Sequence, residues 1–250
     1  MPSHFSTIGF PVQDQDDLLS MADQVAEDAK VIEVPEGQYL RWSSECGAEV
    51  WLQLDREGQL IGIVPHFVGE SRVRVGITSR IIRPDASPLD GAFHGWANPA
   101  DEIDSGEYPF VFDLPDFLNQ RSLRVPGIAT FQIAAFAHEI SIYDSLDAFN
   151  ASQTGELKFA PQSFIPSGLF SPEGESTEPP DAVGIFTGFI IRAEQRFNDL
   201  TEKPFYWAIV DSLGGSFDVV LDPELVENEP QSGGVLQGSF WLTGRFHARD

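Results

Sequence analysis

Three lysines, two methionines and one cysteine are all that this chain of 250 residues contains of those types, and nowhere does it hold a long uninterrupted apolar run. Each shortage excludes something. A single thiol, Cys46, cannot close an internal disulfide, which fits a reducing compartment. No window reaches the ~18 uncharged apolar residues of a membrane span. The opening MPSHFSTIGFPVQDQDD lacks both the basic start and the apolar stretch of a secretory signal. A cytoplasmic protein is therefore expected. Also missing are the G-x-S-x-G elbow, the phosphate-binding P-loop and the dinucleotide glycine fingerprint. That removes the commonest signatures of hydrolases, kinases and dehydrogenases.

Positive charge is the other scarcity. Fifteen Lys and Arg face 39 Asp and Glu, a formal charge of −24. The excess is not a tail: residues 1–125 hold 21 acids and 9 bases, residues 126–182 hold 8 and 1, and residues 183–250 hold 10 and 5. Such a surface repels phosphate backbones and anionic lipid, so neither nucleic acid nor membrane is expected as a partner. It suits plain solubility, high salt, or a protein partner with a basic surface.

What the chain does have is apolar residues at 42%, with 20 Phe, and frequent punctuation by 22 Gly and 18 Pro. The first builds a core; the second is the texture of short strands and tight turns. One segment has helical spacing: Leu18, Leu19, Met21, Ala22, Val25, Ala26 and Ala29 within 16–30, capped by Asp14 or Asp16. Residues 4–10 before it read as a strand. Strands follow at 31–34, 38–43, 48–54 and 59–67, the last two joined by the turn Asp55-Arg56-Glu57-Gly58. Residues 72–83 alternate as a strand, 84–107 read as loop, and strands return at 108–113 and 127–143, with a helical turn near 144–151. Residues 171–181, SPEGESTEPPD, carry no apolar side chain and read as a mobile connection. Beyond it, 183–196, 205–211, 216–221 and 234–246 read as strands, fitting a small Greek-key barrel of oligonucleotide-binding type or a plain meander.

The expected fold class is thus α+β, predominantly antiparallel β, in an N-terminal domain over 1–143, a connecting segment over 144–182 and a small all-β domain over 183–250. The N-terminal order of strand, helix and strands resembles the βαβββ module of the vicinal-oxygen-chelate (glyoxalase-like) superfamily. His4 and the segment Gly47-Ala48-Glu49-Val50-Trp51-Leu52 carry the likeness, and His138-Glu139-Ile140-Ser141-Ile142-Tyr143 resembles a second closing strand. The resemblance implies metal ligation by His4, Glu49, His94 (supplied from a loop) and Glu139. Two His and two carboxylates suit a hard or borderline divalent ion. Glu49 and Glu139 both fall in apolar strands, where an unpaired carboxylate is costly, although alternation could also turn them to water.

The remaining residues read more plainly. His66 and His247 fall singly and read as exposed or locally hydrogen-bonded. Cys46, beside Glu45, lacks the positive surroundings of a nucleophile. Trp207 and Trp241 read as core, and Arg192, Arg196 and Asn198 lie among aromatics in a segment that stays net negative. Two functions are open at this point. One is a non-catalytic binding protein with an acidic surface and no cofactor, taking a basic protein partner or a small molecule. The other is a divalent-metal-dependent enzyme or ligand binder of the glyoxalase-like kind.

Overall fold

The computed structural model describes residues 3–84, 86–155, 158–167 and 180–247. Most of the segment 171–181 lies outside the described residues. Within them the chain is β-rich and mostly antiparallel, with two α-helices. No helix among the described residues is long and apolar enough to cross a membrane.

The first departure from expectation comes at the start. Residues 4–10 are not a strand: Ser6–Ile8 form a 3-10 turn closed by Gly9 in the left-handed region at φ 83°. Short polar side chains decide this locally. Ser3 Oγ accepts from the Ser6 amide, and Thr7 Oγ1 donates to the His4 carbonyl at 2.8 Å, which competes with extended pairing. Helix α1 (Gln15–Ala26) follows, capped by Asp14, whose carboxylate accepts from the Asp17 amide. Its apolar stripe, Met21, Ala22 and Val25, is buried.

Strands β1 (Lys30–Val34), β2 (Gly37–Ser43), β3 (Ala48–Asp55) and β4 (Leu60–Phe67) then make a four-stranded antiparallel meander. Nine more strands form a second sheet: β5 (Val73–Ile81), β6 (Ala92–Ala97), β7 (Pro109–Asp113), β8 (Gly127–Tyr143), β9 (Ser163–Pro166), β10 (Val183–Phe197), β11 (Pro204–Ser212), β12 (Gly215–Leu221) and β13 (Val235–Phe246). Helix α2 (Leu146–Ser152), capped by Ser145, links β8 to β9. Strand β6 sits inside the stretch read as loop, and its Pro- and Gly-rich flanks hid it.

The second sheet is organised by its two long strands. β8 and β13 pair antiparallel from Val235–Tyr143 to Phe246–Phe131. The outer edge of β8 then serves two neighbours in succession, β5 at residues 127–131 and β12, in parallel, at 134–136. The outer edge of β13 likewise serves β10 at 235–241 and β7, in parallel, at Thr243. With β10–β11–β12 on one side and β5–β6–β7 on the other, the pairings close into two cycles of five strands that share β8 and β13. A strand of 17 residues spans roughly 55 Å, enough to serve two partners end to end.

Burial follows from this. Phe131, Ile133, Ala135 and Ala137 of β8 point into one core, Ala134 and Phe136 into another, so the strand is apolar on both faces. The second core is where the meander docks: Ile8, Phe10, Met21, Val25, Val50 and Phe67 pack on Phe205, Trp207, Val220 and Phe136. Tyr39 of β2 fastens the meander at another point, donating to the Leu89 carbonyl at 2.7 Å and accepting from the Leu118 amide at 3.1 Å.

Candidate functional site

Along β3, Val50 and Leu52 face the docking core, which turns Glu49 and Trp51 to the opposite face. Glu49 is fully buried there. Its carboxylate accepts from Arg41 Nε at 2.7 Å, Ser43 Oγ at 2.8 Å, Trp51 Nε1 at 3.0 Å and Arg245 Nη1 at 3.1 and 3.2 Å. A second Arg41 nitrogen also donates to it. Burial opposes its ionisation, but the neighbouring charges and the Arg41 hydrogen bond hold the carboxyl below its ordinary range. Every acceptor position is filled.

Across the β3–β4 register from Glu49 stands His66, also fully buried. Its Nδ1 lies 2.8 Å from Thr243 Oγ1 and its Nε2 lies 3.0 Å from Gln132 Oε1. The Gln132 amide nitrogen donates to Asp218 at 2.7 Å, so its oxygen faces His66 and must accept. The imidazole is therefore the Nε2–H tautomer, and complete burial holds its pKa down at about 3. Neutral His66 adds no charge to Glu49, so Arg245 and Arg41 keep that carboxyl ionised.

The line ends at Asp218 on β12, fully buried, which accepts from the amides of Glu70 and Ser71 at 2.9 Å each and from Trp207 Nε1 at 3.0 Å. Arg196 and Arg192 lie over the Trp207 ring, 3.9 and 4.9 Å from its centroid. Gly69 makes room for the carboxylate, because a Cβ there would stand 2.1 Å from Asp218 Cγ. Chemically this is a saturated network. It ties the meander to β8, β12 and β13 and leaves no carboxylate free to take a proton from a substrate.

The four residues implied as metal ligands fall in separate surroundings. Glu49 is bound as described. Glu139 is exposed on β8. His94 lies on β6 rather than in a loop; its Nδ1 is 2.6 Å from Thr78 Oγ1, whose own proton goes to the His94 carbonyl. His4 meets none of the other three; its Nε2 is 2.7 Å from Nε2 of His138. Among the described residues no group of three or more His, Cys, Asp or Glu could hold a metal ion.

Trp207 is core as expected, while Trp241 is half-buried and donates to Asp113 at 2.7 Å. His66 is buried and bonded to residues distant in sequence, not exposed or locally bonded; no local pattern announces such partners. Asp218 carries the same sequence signal as Glu49, a lone acid in an apolar strand.

A cleft of about 600 Å³ opens between residues 3–13 and the ends of β11 and β12, with Phe10, Val12, Lys203, Asp222 and Glu224 on its walls. None of the four implied ligands lines it. Compared with protein-family models, with curated proteins and with solved structures, the chain matches none.

Proposed function

We propose that this chain is a non-catalytic binding protein whose acidic surface receives a protein partner with a basic surface. The observation that supports this reading is how the scarce basic groups are used. Arg41, Arg83, Arg121, Arg192, Arg196 and Arg245 are held in ion pairs, and only five carboxylates, Glu36, Glu49, Glu70, Asp113 and Glu194, take part in the ion pairs among the described residues. Arg56, Arg72, Arg74 and Arg80 donate to backbone carbonyls instead. Several of these arginines stay at the surface, Arg56, Arg72, Arg74, Arg121 and Arg192 among them, but their bonds to these few carboxylates and to backbone carbonyls leave most of the acids without a paired base.

Helix α1 and its flanks concentrate this unpaired charge. Asp14, Asp16, Asp17, Asp23, Glu27 and Asp28 are all exposed, and no Lys or Arg lies between them. Uncompensated charge of one sign speeds and selects encounters with the opposite sign, and salt screens it over about 10 Å at 0.1 M. Glu49 and Asp218, saturated by donors, argue in the same direction, since acid–base chemistry needs a group with a free position.

The test is binding of a synthetic Lys/Arg-rich peptide by calorimetry at low and physiological salt. The expected result is salt-sensitive binding that weakens at least fivefold when Asp16, Asp17, Asp23, Glu27 and Asp28 become Asn or Gln. Binding that ignores both salt and the neutralised helix would overturn the reading, and so would none at low salt.

A further inference from the structure

The cleft beside residues 3–13 has no part in that reading. Two sources build it, the segment that leads into α1 and the open end of the β11–β12 hairpin. Lys203 precedes β11 and Asp222 follows β12, and the pairing of Tyr206 with Leu221 sets these two ends side by side. Lys203, Asp222 and Glu224 all line the cleft, yet none of them belongs to an ion pair among the described residues. Asp222 is only 7% exposed, and the one hydrogen bond its carboxylate accepts among the described residues is at Oδ1, from the Glu224 amide at 2.8 Å. Its Oδ2 is left over. Ser3, also on the lining, accepts from the Ser6 amide at 3.2 Å, and its own hydroxyl proton is unspent among the described residues. Phe10, Val12, Pro204 and Pro223 supply the apolar part of the surface. Phe10 is held by its amide, which donates to the Phe5 carbonyl at 2.9 Å, and by its ring, which packs edge-on against Trp42. The prolines fix their own φ angles.

We infer that this cleft binds a short peptide of two or three residues by its charged termini, with an apolar side chain set on Phe10 and Val12. The charges select the class. A simple cation would meet Lys203, and a simple anion would meet Asp222 and Glu224. A ligand that carries both signs matches the cleft where either sign alone does not. The peptide ammonium donates to Asp222 Oδ2 and to Glu224; the terminal carboxylate accepts from Lys203 and from the Ser3 hydroxyl. Such bonds between ionised groups are the stronger kind, and free chain termini are recurrent recognition handles. Size selects within the class. A volume of about 600 Å³ falls inside the ~300–1,000 Å³ of small-molecule sites and exceeds what one amino acid fills. Walls already held in place lower the cost of ordering on binding.

The probe is the dipeptide Leu-Phe, titrated into the protein by calorimetry beside its N-acetylated and C-amidated forms. One site per chain is expected, with acetylation weakening binding at least tenfold and amidation at least fivefold. These comparisons use the unaltered protein and need no variant to fold. Lys203→Gln should weaken Leu-Phe at least fivefold and leave the amidated form unchanged, because the carboxylate and the ammonium act on each other. Asp222→Asn keeps an acceptor for the Glu224 amide and should weaken Leu-Phe at least tenfold. Circular dichroism establishes that both variants are folded. No binding of Leu-Phe at millimolar concentration, blocked forms that bind as tightly as the free one, or an affinity unmoved by both substitutions would each overturn the inference. Leu-Phe has no basic side chain, so its result stands apart from that of the Lys/Arg-rich peptide.

Discussion

Glu49 and His66 stand directly opposite each other on β3 and β4, both fully buried, yet each gives its polar atoms to other partners. Glu49 reaches back to β2 and across to Arg245 on β13; His66 reaches Thr243 on β13 and Gln132 on β8. One cross-strand pair thus fixes the N-terminal meander to both shared strands. The energetic weight is asymmetric, because an unsatisfied buried group costs more than its bond contributes.

Glu49→Gln should therefore destabilise the fold by about 3 kcal/mol, since it strands Arg41 and Arg245 without a counter-charge. Both guanidinium groups keep about a quarter of their surface exposed (28% and 26%), which softens the loss. Exposed Glu139→Gln should stay within about 0.5 kcal/mol of the parent. Urea denaturation of the two variants checks this, and equal effects would remove Glu49 from its keystone role.

Stability should fall as pH drops below about 6.5, the ordinary histidine value. Folded His66 titrates only at about 3 and His4 only at about 4, so between those values and 6.5 the unfolded chain binds protons that the folded one refuses. The loss begins as pH falls through the unfolded value and is complete at the folded one; above 6.5 these groups contribute no slope. Each fully titrating group costs about 1.4 kcal/mol per pH unit. Unfolding midpoints measured from pH 7.5 to 5 should show this, and His66→Gln should remove about one proton from the slope. A flat profile over that range would mean that His66 is not held neutral.

Gly69→Ala should cost about 1–3 kcal/mol, as overpacking does. Its Cβ would displace the Asp218 carboxylate from Gln132, Trp207 and two backbone amides. Near-ultraviolet circular dichroism reports Trp207 directly. An unchanged spectrum and midpoint would show that the loop at Gly69 yields instead.

How much of this was legible follows from how local each signal is. Helix α1 and the hairpins at 48–67 and 205–221 are written in short-range spacing and turn residues, and they form within a few residues of expectation. The strand expected at 4–10 failed because Ser3 and Thr7 bond to the backbone beside them. Strand β6 was obscured by Gly95, which is there because a Cβ would stand 2.8 Å from the Gly76 carbonyl. His66 and His138 find partners 66 to 177 residues away, and no local pattern reports such pairings. The strand expected over 127–143 is β8 itself, but what sustains its length, two cores and three partner strands, is a property of the assembled sheet.

That sharing leads to the last prediction, which concerns whether residues 183–247 can stand alone. Strands β10, β11, β12 and β13 complete their cycle of five only through β8, which bridges β12 and β13. Without β8, Phe217, Val219, Leu236 and Leu242 lose a wall of their core, and two strand edges lie open. A fragment of 183–247 should therefore be unfolded or aggregated, while one of 127–247, which restores β8, should gain β-structure and a cooperative melt. Because β8 also lends Ala134 and Phe136 to the core under the meander, the longer fragment should still be less stable than the whole chain. Circular dichroism and thermal melts of the two fragments decide the matter. A cooperative fold for 183–247 alone would show that β8 is dispensable and that the C-terminal strands form an independent unit.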